Sequence, residues 1–292
     1  MSRAVVLSGG GSVGIGWQTG LLAGLCAQGL DLSRADMVIG TSAGAAVGAQ
    51  LALGSDMSRA LERFSRRTSS APPERASAAP APASAGRPDR LQKLFAIMAG
   101  AMAEGGDPEQ GRAAIGRHAL EAETVTEEQF LRGFAYLAGE PWPRAFSCTA
   151  VDAQSGAFHV WNEASGVDLV RAVASSCAVP GLFPPITIDG RRYMDGGMRS
   201  GANADLAKGH RRVLIITLMG SSRLPRMRAN AEREQAALLE GGAVVVESVA
   251  PDAAAAAIMG MDLMNPALVH DAAQAGLRQG HAEAARLREL WG

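Results

Sequence analysis

The chain has 292 residues, 47% hydrophobic and 20% charged, with 28 Lys and Arg against 29 Asp and Glu and a net charge of −1. This composition supports a sizeable core and carries no basic footprint for nucleic acid. Three cysteines, Cys26, Cys148 and Cys177, cannot pair completely and show no metal-ligand spacing, so they read as reduced thiols of a cytoplasmic chain with no metal site.

The N-terminus enters a strand by Ala4 with no charged n-region, apolar h-region or cleavage site, so no signal peptide is expected. The apolar runs fall short of the roughly 20 residues a membrane-spanning helix needs. Residues 4–8 (AVVLS) read as a buried strand. A glycine loop and a helix from about Gly16 to Gln28 follow, and Gly29 stops that helix. Residues 36–40 (DMVIG) form a second strand, and Thr41-Ser42-Ala43-Gly44 turns into a helix of small residues. The strand–helix–strand–helix order predicts a parallel sheet with crossover helices.

Residues 69–90 are mostly Ala, Pro and Ser without periodicity, which predicts an insertion lacking regular structure. A helical segment covers 91–139. Within it Leu91, Leu94, Phe95, Met98 and Met102 share one stripe, Asp107-Pro108 opens a helix, and Thr126 to Gln129 is a capping box. The stripe fits a helix packed on the core, and it also fits a lid or acyl-chain wall. Residues 144–161 predict a hairpin around Ala153–Gly156, and 167–178 a helix. Residues 184–197 predict a tight hairpin turning at Asp189-Gly190. Residues 213–218 are a further buried strand, and from about Asn230 the chain reads as Ala-rich helix.

Gly9, Gly11 and Gly14 spell G-x-G-x-x-G after the first strand, the pattern of a dinucleotide loop. Such a site also needs a carboxylate after the second strand. Asp31 and Asp36 both precede that strand. The place after it holds Gly40-Thr41-Ser42-Ala43-Gly44, a G-x-S-x-G between strand and helix. That is the setting of a nucleophile elbow with Ser42 as the nucleophile, although the same residues also fit an ordinary Ser/Thr helix cap. Gly40 and Gly44 leave room for the sharp turn. The glycine loop would then supply backbone N–H groups to an oxyanion, with Gly10, Gly11 and Ser12 as the candidates.

An activated serine needs a base. None of His118, His159, His210, His270 and His281 stands in a catalytic context; His118 and His281 read as surface residues and His159 as structural. Asp195, followed by Gly196 and Gly197, is the better candidate, and the same D-G-G also fits a plain turn. Arg191 and Arg192 lie near it in sequence and could supply charge.

Four blocks stand in order: Ser8–Gly14 (SGGGSVG), Gly40–Gly44 (GTSAG), Ala174–Gly197 ending in YMDGG, and Asn203–Ala207 followed by Val213–Leu218. Together they resemble the patatin-like phospholipase family, over residues 4–66 and about 143–220. The resemblance implies one α/β domain over 1–292, a three-layer α/β/α architecture with a mostly parallel central sheet. It implies Ser42 as nucleophile, Asp195 as its sole partner in a Ser–Asp dyad, and the glycine loop as oxyanion hole, with no cofactor. The activity implied is hydrolysis of lipid or carboxylic esters, of phospholipase A or lysophospholipase type, with transient contact at a membrane surface. One departure stands out: the family loop usually carries Arg or Lys where this chain has Val13. That departure keeps a weakly active or non-catalytic lipid-binding relative as a second reading. An acyltransferase shares the acyl-serine chemistry, and a dinucleotide-binding oxidoreductase is the third reading.

Overall fold

The computed structural model describes residues 1–64, 87–101, 106–218, 225–260 and 262–292. In chain order the elements begin β1 (Arg3–Leu7), α1 (Gly11–Ala27), β2 (Met37–Gly40), α2 (Ala43–Ala52), α3 (Met57–Glu62), α4 (Arg87–Ala101), α5 (Pro108–Glu121) and α6 (Glu127–Leu131). They continue with β3 (Phe146–Asp152), β4 (Phe158–Trp161), α7 (Leu169–Ser176), β5 (Ile186–Ile188), β6 (Arg191–Asp195) and β7 (Arg212–Ile216). The last four are α8 (Pro225–Glu240), β8 (Val245–Val249), α9 (Ala253–Met259) and α10 (Val269–Trp291). The chain forms two compact units. One holds the described residues of Met1–Ala76, Pro143–Ser147 and Ser200–Gly292, the other those of Ser77–Trp142 and Cys148–Arg199.

In the first unit β2, β1, β7 and β8 lie side by side in that order, all parallel. Val6 of β1 is level with Ile39 on one side and Ile215 on the other. The step from β1 to β2 crosses the sheet in one direction and the step from β7 to β8 in the other. Right-handed crossovers therefore put α1 and α8 on opposite faces. Burial agrees. Ala4, Val6, Ile39, Val213 and Ile215 share a face and pack with Leu238 of α8. Leu7 and Val38 point the other way, against Gly44 and Gly48 of α2. The architecture is thus α/β, a central sheet with helices on both sides, as the sequence predicts.

Helix α1 is anchored by α10. A Cβ on Gly16, Gly20 or Gly24 would lie 2.7, 2.0 or 2.4 Å from the carbonyl oxygens of Val269, Ala273 and Leu277. Glycine at every fourth position gives one bare stripe, and the two backbones meet along it. The glycine loop that opens α1 is therefore held in place by the C-terminal helix.

Three boundaries differ from the sequence reading. Helix α1 starts at Gly11 rather than Gly16, because the glycine run itself winds into the first turn, with Gly14 N donating to Gly10 O at 2.8 Å. The stretch after Asn230 is interrupted by β8, whose Val246 is level with Val213 of β7. Gly242, at φ 92, makes the turn into it. Because β8 flanks only β7 and is mostly half-exposed, its residues show no apolar–polar alternation. Helix α4 begins at Arg87, inside the segment expected to lack structure; residues 69–86 of that segment lie outside the described residues.

In the second unit β5, β6 and β3 are antiparallel neighbours and β4 pairs with β3. Both predicted hairpins are present. Asp189 and Gly190 turn the second one at φ 48 and 75, the left-handed pair that a two-residue hairpin loop requires. Helix α4 buries Leu94 in a cluster with Ile115, Val151 and Met194, and Met98 packs at its edge. Those two residues of the apolar stripe therefore serve the core. Met102 lies outside the described residues.

Candidate active site

Ser42 joins the end of β2 to α2 and is the N-cap of that helix, at φ 55 and ψ −120. A side-chain-bearing residue held there stores about 1–3 kcal/mol of strain. Its surroundings enforce it. A Cβ on Gly40 would stand 2.5 Å from the Ala45 Cα, and one on Gly44 2.0 Å from the Leu7 carbonyl oxygen. Thr41 N donates to Leu7 O at 3.0 Å, and Gly44 N lies 3.1 Å from Ser8 O and 2.9 Å from Thr41 O. The elbow is thus stitched to the C-terminal end of β1, where open α/β sheets place their sites. Ser42 is 8% exposed. The N–H of Ala43 has no acceptor among the described residues.

The glycine loop lies against this serine. A Cβ on Gly9 would come within 3.3 Å of the Ser42 Cβ, so only glycine leaves the serine uncrowded. Gly9 N is spoken for, donating to Gly201 O at 2.8 Å. A helix leaves its first N–H groups without partners. At the start of α1, Val13 N is taken by Leu263 O at 3.0 Å. The N–H groups of Gly10, Gly11 and Ser12 have no acceptor among the described residues, and the buried Ser12 hydroxyl has no hydrogen-bond partner there either. These donors open a 17-residue helix, whose dipole places positive potential at that end. Val13 itself is fully buried. Its side chain belongs to the packing of α1, and no cation occupies that position.

Three further residues brace the loop and the elbow, and none of them stood out in the sequence as a site residue. Ser8 O accepts from Gln18 Nε2 at 2.8 Å as well as from Gly44 N, and the Ser8 hydroxyl accepts from Leu218 N at 3.1 Å. Gln18, two turns into α1, is fully buried. Asn203, also fully buried and left-handed at φ 53, donates from Nδ2 to the Thr41 hydroxyl at 3.1 Å and to Ser200 O at 2.8 Å. An amide side chain in a left-handed turn after a D-G-G block is the only sequence trace of this brace.

Asp195 belongs to the second unit and ends β6. It is 2% exposed, its Oδ1 accepts from Gly197 N at 2.7 Å, and its own N donates to Ala178 O at 3.0 Å. Gly196 is pressed onto β3: a Cβ there would meet the Thr149 carbonyl oxygen at 2.5 Å. The neighbouring guanidinium groups are engaged away from Asp195. Arg191 pairs with Asp152 at 2.9 Å, and Arg192 donates to Pro185 O at 2.7 Å. Burial pushes the Asp152 carboxyl up, but Arg191 and the N–H groups of Ser155 and Gln154 outweigh that and hold it below the usual carboxylate range.

Each histidine has surroundings of its own. His118 is half-buried rather than on the surface, because Gly181 packs onto its ring; a Cβ there would be 2.8 Å from Nε2. His159 stacks on Trp161 and meets Tyr193 edge-on, with centroids 5.5 and 5.0 Å apart. Burial lowers the pKa of both. His210 and His270 contact the backbone oxygens of Ala207 and Phe64 through Nδ1, and His281 is exposed. Asp36 accepts from Arg3 N at 2.7 Å and Asp31 from Ser33 N at 2.9 Å, both before β2, so neither faces the glycine loop as a ribose carboxylate. Among the described residues no three His, Cys, Asp or Glu gather as metal ligands, and no helix is long and apolar enough to cross a membrane.

A family model for patatin-like phospholipase matches residues 5–208. No curated protein matches the chain. Among solved structures, VipD from Legionella pneumophila aligns with 13% identity and a TM-score of 0.43 over 98% of this chain and 67% of its own. The type III effector protein ExoU aligns with 18% identity and a TM-score of 0.39 over 98% of this chain, which spans 53% of the ExoU chain.

Proposed function

Since the chain belongs to the patatin-like phospholipase family, we propose that it is a serine acyl hydrolase acting on lipid or carboxylic esters, with Ser42 as nucleophile and Asp195 as its base. The observation that carries this is the strained Ser42 N-cap set against a glycine loop with three acceptor-free N–H groups. An ordinary helix-capping serine has no need of left-handed strain or of such neighbours.

In the proposed reaction Ser42 Oγ attacks the ester carbonyl carbon and its proton passes to the Asp195 carboxylate. The carbonyl oxygen becomes an oxyanion and takes hydrogen bonds from the N–H groups of Gly10, Gly11 and Ser12. These are fixed before the substrate arrives, so no reorganisation is needed as charge develops. Asp195 returns the proton to the departing alcohol, leaving an acyl-Ser42 ester. Water attacks that ester with Asp195 taking its proton; the second tetrahedral intermediate collapses, the bond from Ser42 Oγ to the acyl carbon breaks, Oγ takes the proton back from Asp195, and the free acid leaves. Gly40, Gly44, Gly196 and Gly197 shape the two turns that present Ser42 and Asp195. A valine at position 13 leaves this donor set intact, since Val13 N already serves Leu263 O.

The substrate class fits phospholipase A or lysophospholipase chemistry at a lipid surface, by a cytoplasmic enzyme that needs no metal or organic cofactor. Hydrolysis of p-nitrophenyl esters and phospholipids tests it. Ser42→Ala should lose at least about 10³-fold in kcat/KM, and Asp195→Asn should fall in the same range. Full turnover by either folded variant would refute the assignment.

A further inference from the structure

Two apolar side chains stand directly on the glycine loop, and the oxyanion role gives no reason for them. A Cβ on Gly10 would fall 2.6 Å from Leu218 Cδ2, and one on Gly11 would fall 2.5 Å from Met264 Sδ. Each glycine is therefore covered by a side chain from a distant part of the chain. Both positions are fixed by the loop region itself. Leu218 N donates to the Ser8 hydroxyl at 3.1 Å. Leu263 O receives Val13 N at 3.0 Å, and Met264 N donates to Asp262 Oδ1 at 3.1 Å in a turn closed by Asn265 N on Asp262 O. Leu218 and Met264 are both half-buried, so neither is sealed in the core, and both reach the glycines whose N–H groups lack an acceptor among the described residues.

We propose that Leu218 and Met264 are the walls past which the acyl chain of the substrate runs, and that they set its preferred length. This rests on the acyl-hydrolase reading. An ester whose carbonyl oxygen sits on the Gly10 and Gly11 N–H groups carries its first methylenes within a few ångströms of those glycines, where these two side chains already are. An unbranched thioether adapts its shape to a flexible chain, and a fixed leucine opposes it with a constant surface. The class of ligand is a medium to long saturated acyl group, and the residues act through contact with that chain rather than with the reacting atoms.

The test compares kcat/KM for p-nitrophenyl laurate and p-nitrophenyl butyrate in the wild type, Met264→Ala and Leu218→Ala, with fluorophosphonate labelling of Ser42 run on each. Removing wall contacts should lower the laurate-to-butyrate ratio about tenfold, the scale of one or two methylene contacts in a pocket. Met264→Gln keeps the volume and puts an amide into the wall, so it guards against a folding defect. It should weaken inhibition of the butyrate reaction by dodecanoate about tenfold while inhibition by butanoate changes little. Ratios and dodecanoate inhibition within about twofold of wild type, in variants whose Ser42 still labels, would overturn the wall and leave the hydrolase standing. A wild type that neither labels nor turns over either ester would overturn the hydrolase reading, and the wall with it.

Discussion

Replacing Gly44 by alanine separates geometry from chemistry at the elbow. In an exposed helix interior that change gains up to about 1 kcal/mol, because alanine is the better helix former. Here the added Cβ would lie 2.0 Å from Leu7 O and 2.4 Å from Leu7 C, both backbone atoms of a central strand. No rotamer can relieve that contact, so α2 must move away from β1. Overpacking against a fixed neighbour costs about 1–3 kcal/mol, and a backbone neighbour puts this case at the upper end. The net is a loss of about 2 kcal/mol, or roughly 3 °C in Tm for a chain of this size. The displacement also carries Ser42, and a shift of about 1 Å at a reacting atom costs about 10²-fold in rate. Gly100→Ala is the control: it is exposed on α4 with no atom within 4 Å of the added Cβ, and should leave Tm the same or slightly raised. Thermal melts and ester kinetics on both variants decide the matter. A Gly44→Ala protein as stable and as active as wild type would refute the packing argument.

Ser42→Gly should abolish turnover yet raise stability by about 1 kcal/mol, because glycine relieves the left-handed strain at the cost of a looser unfolded chain; a melt that falls instead would show the serine conformation to be unstrained. Asn203→Ala should cost about 1–3 kcal/mol, since it removes two buried hydrogen bonds, to the Thr41 hydroxyl and to Ser200 O, and it should slow ester hydrolysis through the elbow it braces; unchanged melts and kinetics would remove Asn203 from the support. Acidification should lower Tm below about pH 6.5. Burial lowers the pKa of His118 and His159 in the fold, so the stability tied to their neutral rings is present above the unfolded value of about 6.5 and is lost as pH falls through the lowered values. Asp152, also lowered, adds a second loss at more acid pH. Melts from pH 8 to pH 4 should be shallower near pH 6 in His118→Gln, with His159 keeping the rest of the slope; a slope identical to wild type would contradict the assignment.

The sequence made the local devices readable and hid the distant ones. The hairpin at Asp189-Gly190, the capping box at Thr126 and the elbow at Gly40–Gly44 each lie within a few residues, where φ requirements and cap chemistry restrict the amino acids directly. The start of α1 is hidden because a glycine run has the composition of a loop, while the contact of Val13 N with Leu263 O helps it wind into helix. Strand β8 escaped because its half-exposed residues follow an Ala-rich helix and its partner β7 lies on the far side of α8. The burial of His118 is invisible locally because its cover, Gly181, comes from 63 residues later. The same holds for Leu263 O, which accepts from Val13 N across 250 residues. That contact joins the two ends of the chain, and no window of sequence contains it.

The proposed mechanism stands on Ser42 being an activated nucleophile served by Asp195. Its most direct test is the intact mass of the folded protein after exposure to an alkyl fluorophosphonate, followed by peptide mapping, in wild type, Ser42→Ala and Asp195→Asn. One adduct is expected, on Ser42, absent from Ser42→Ala and formed far more slowly in Asp195→Asn. An adduct on another residue, or a wild type that stays unmodified, would contradict it.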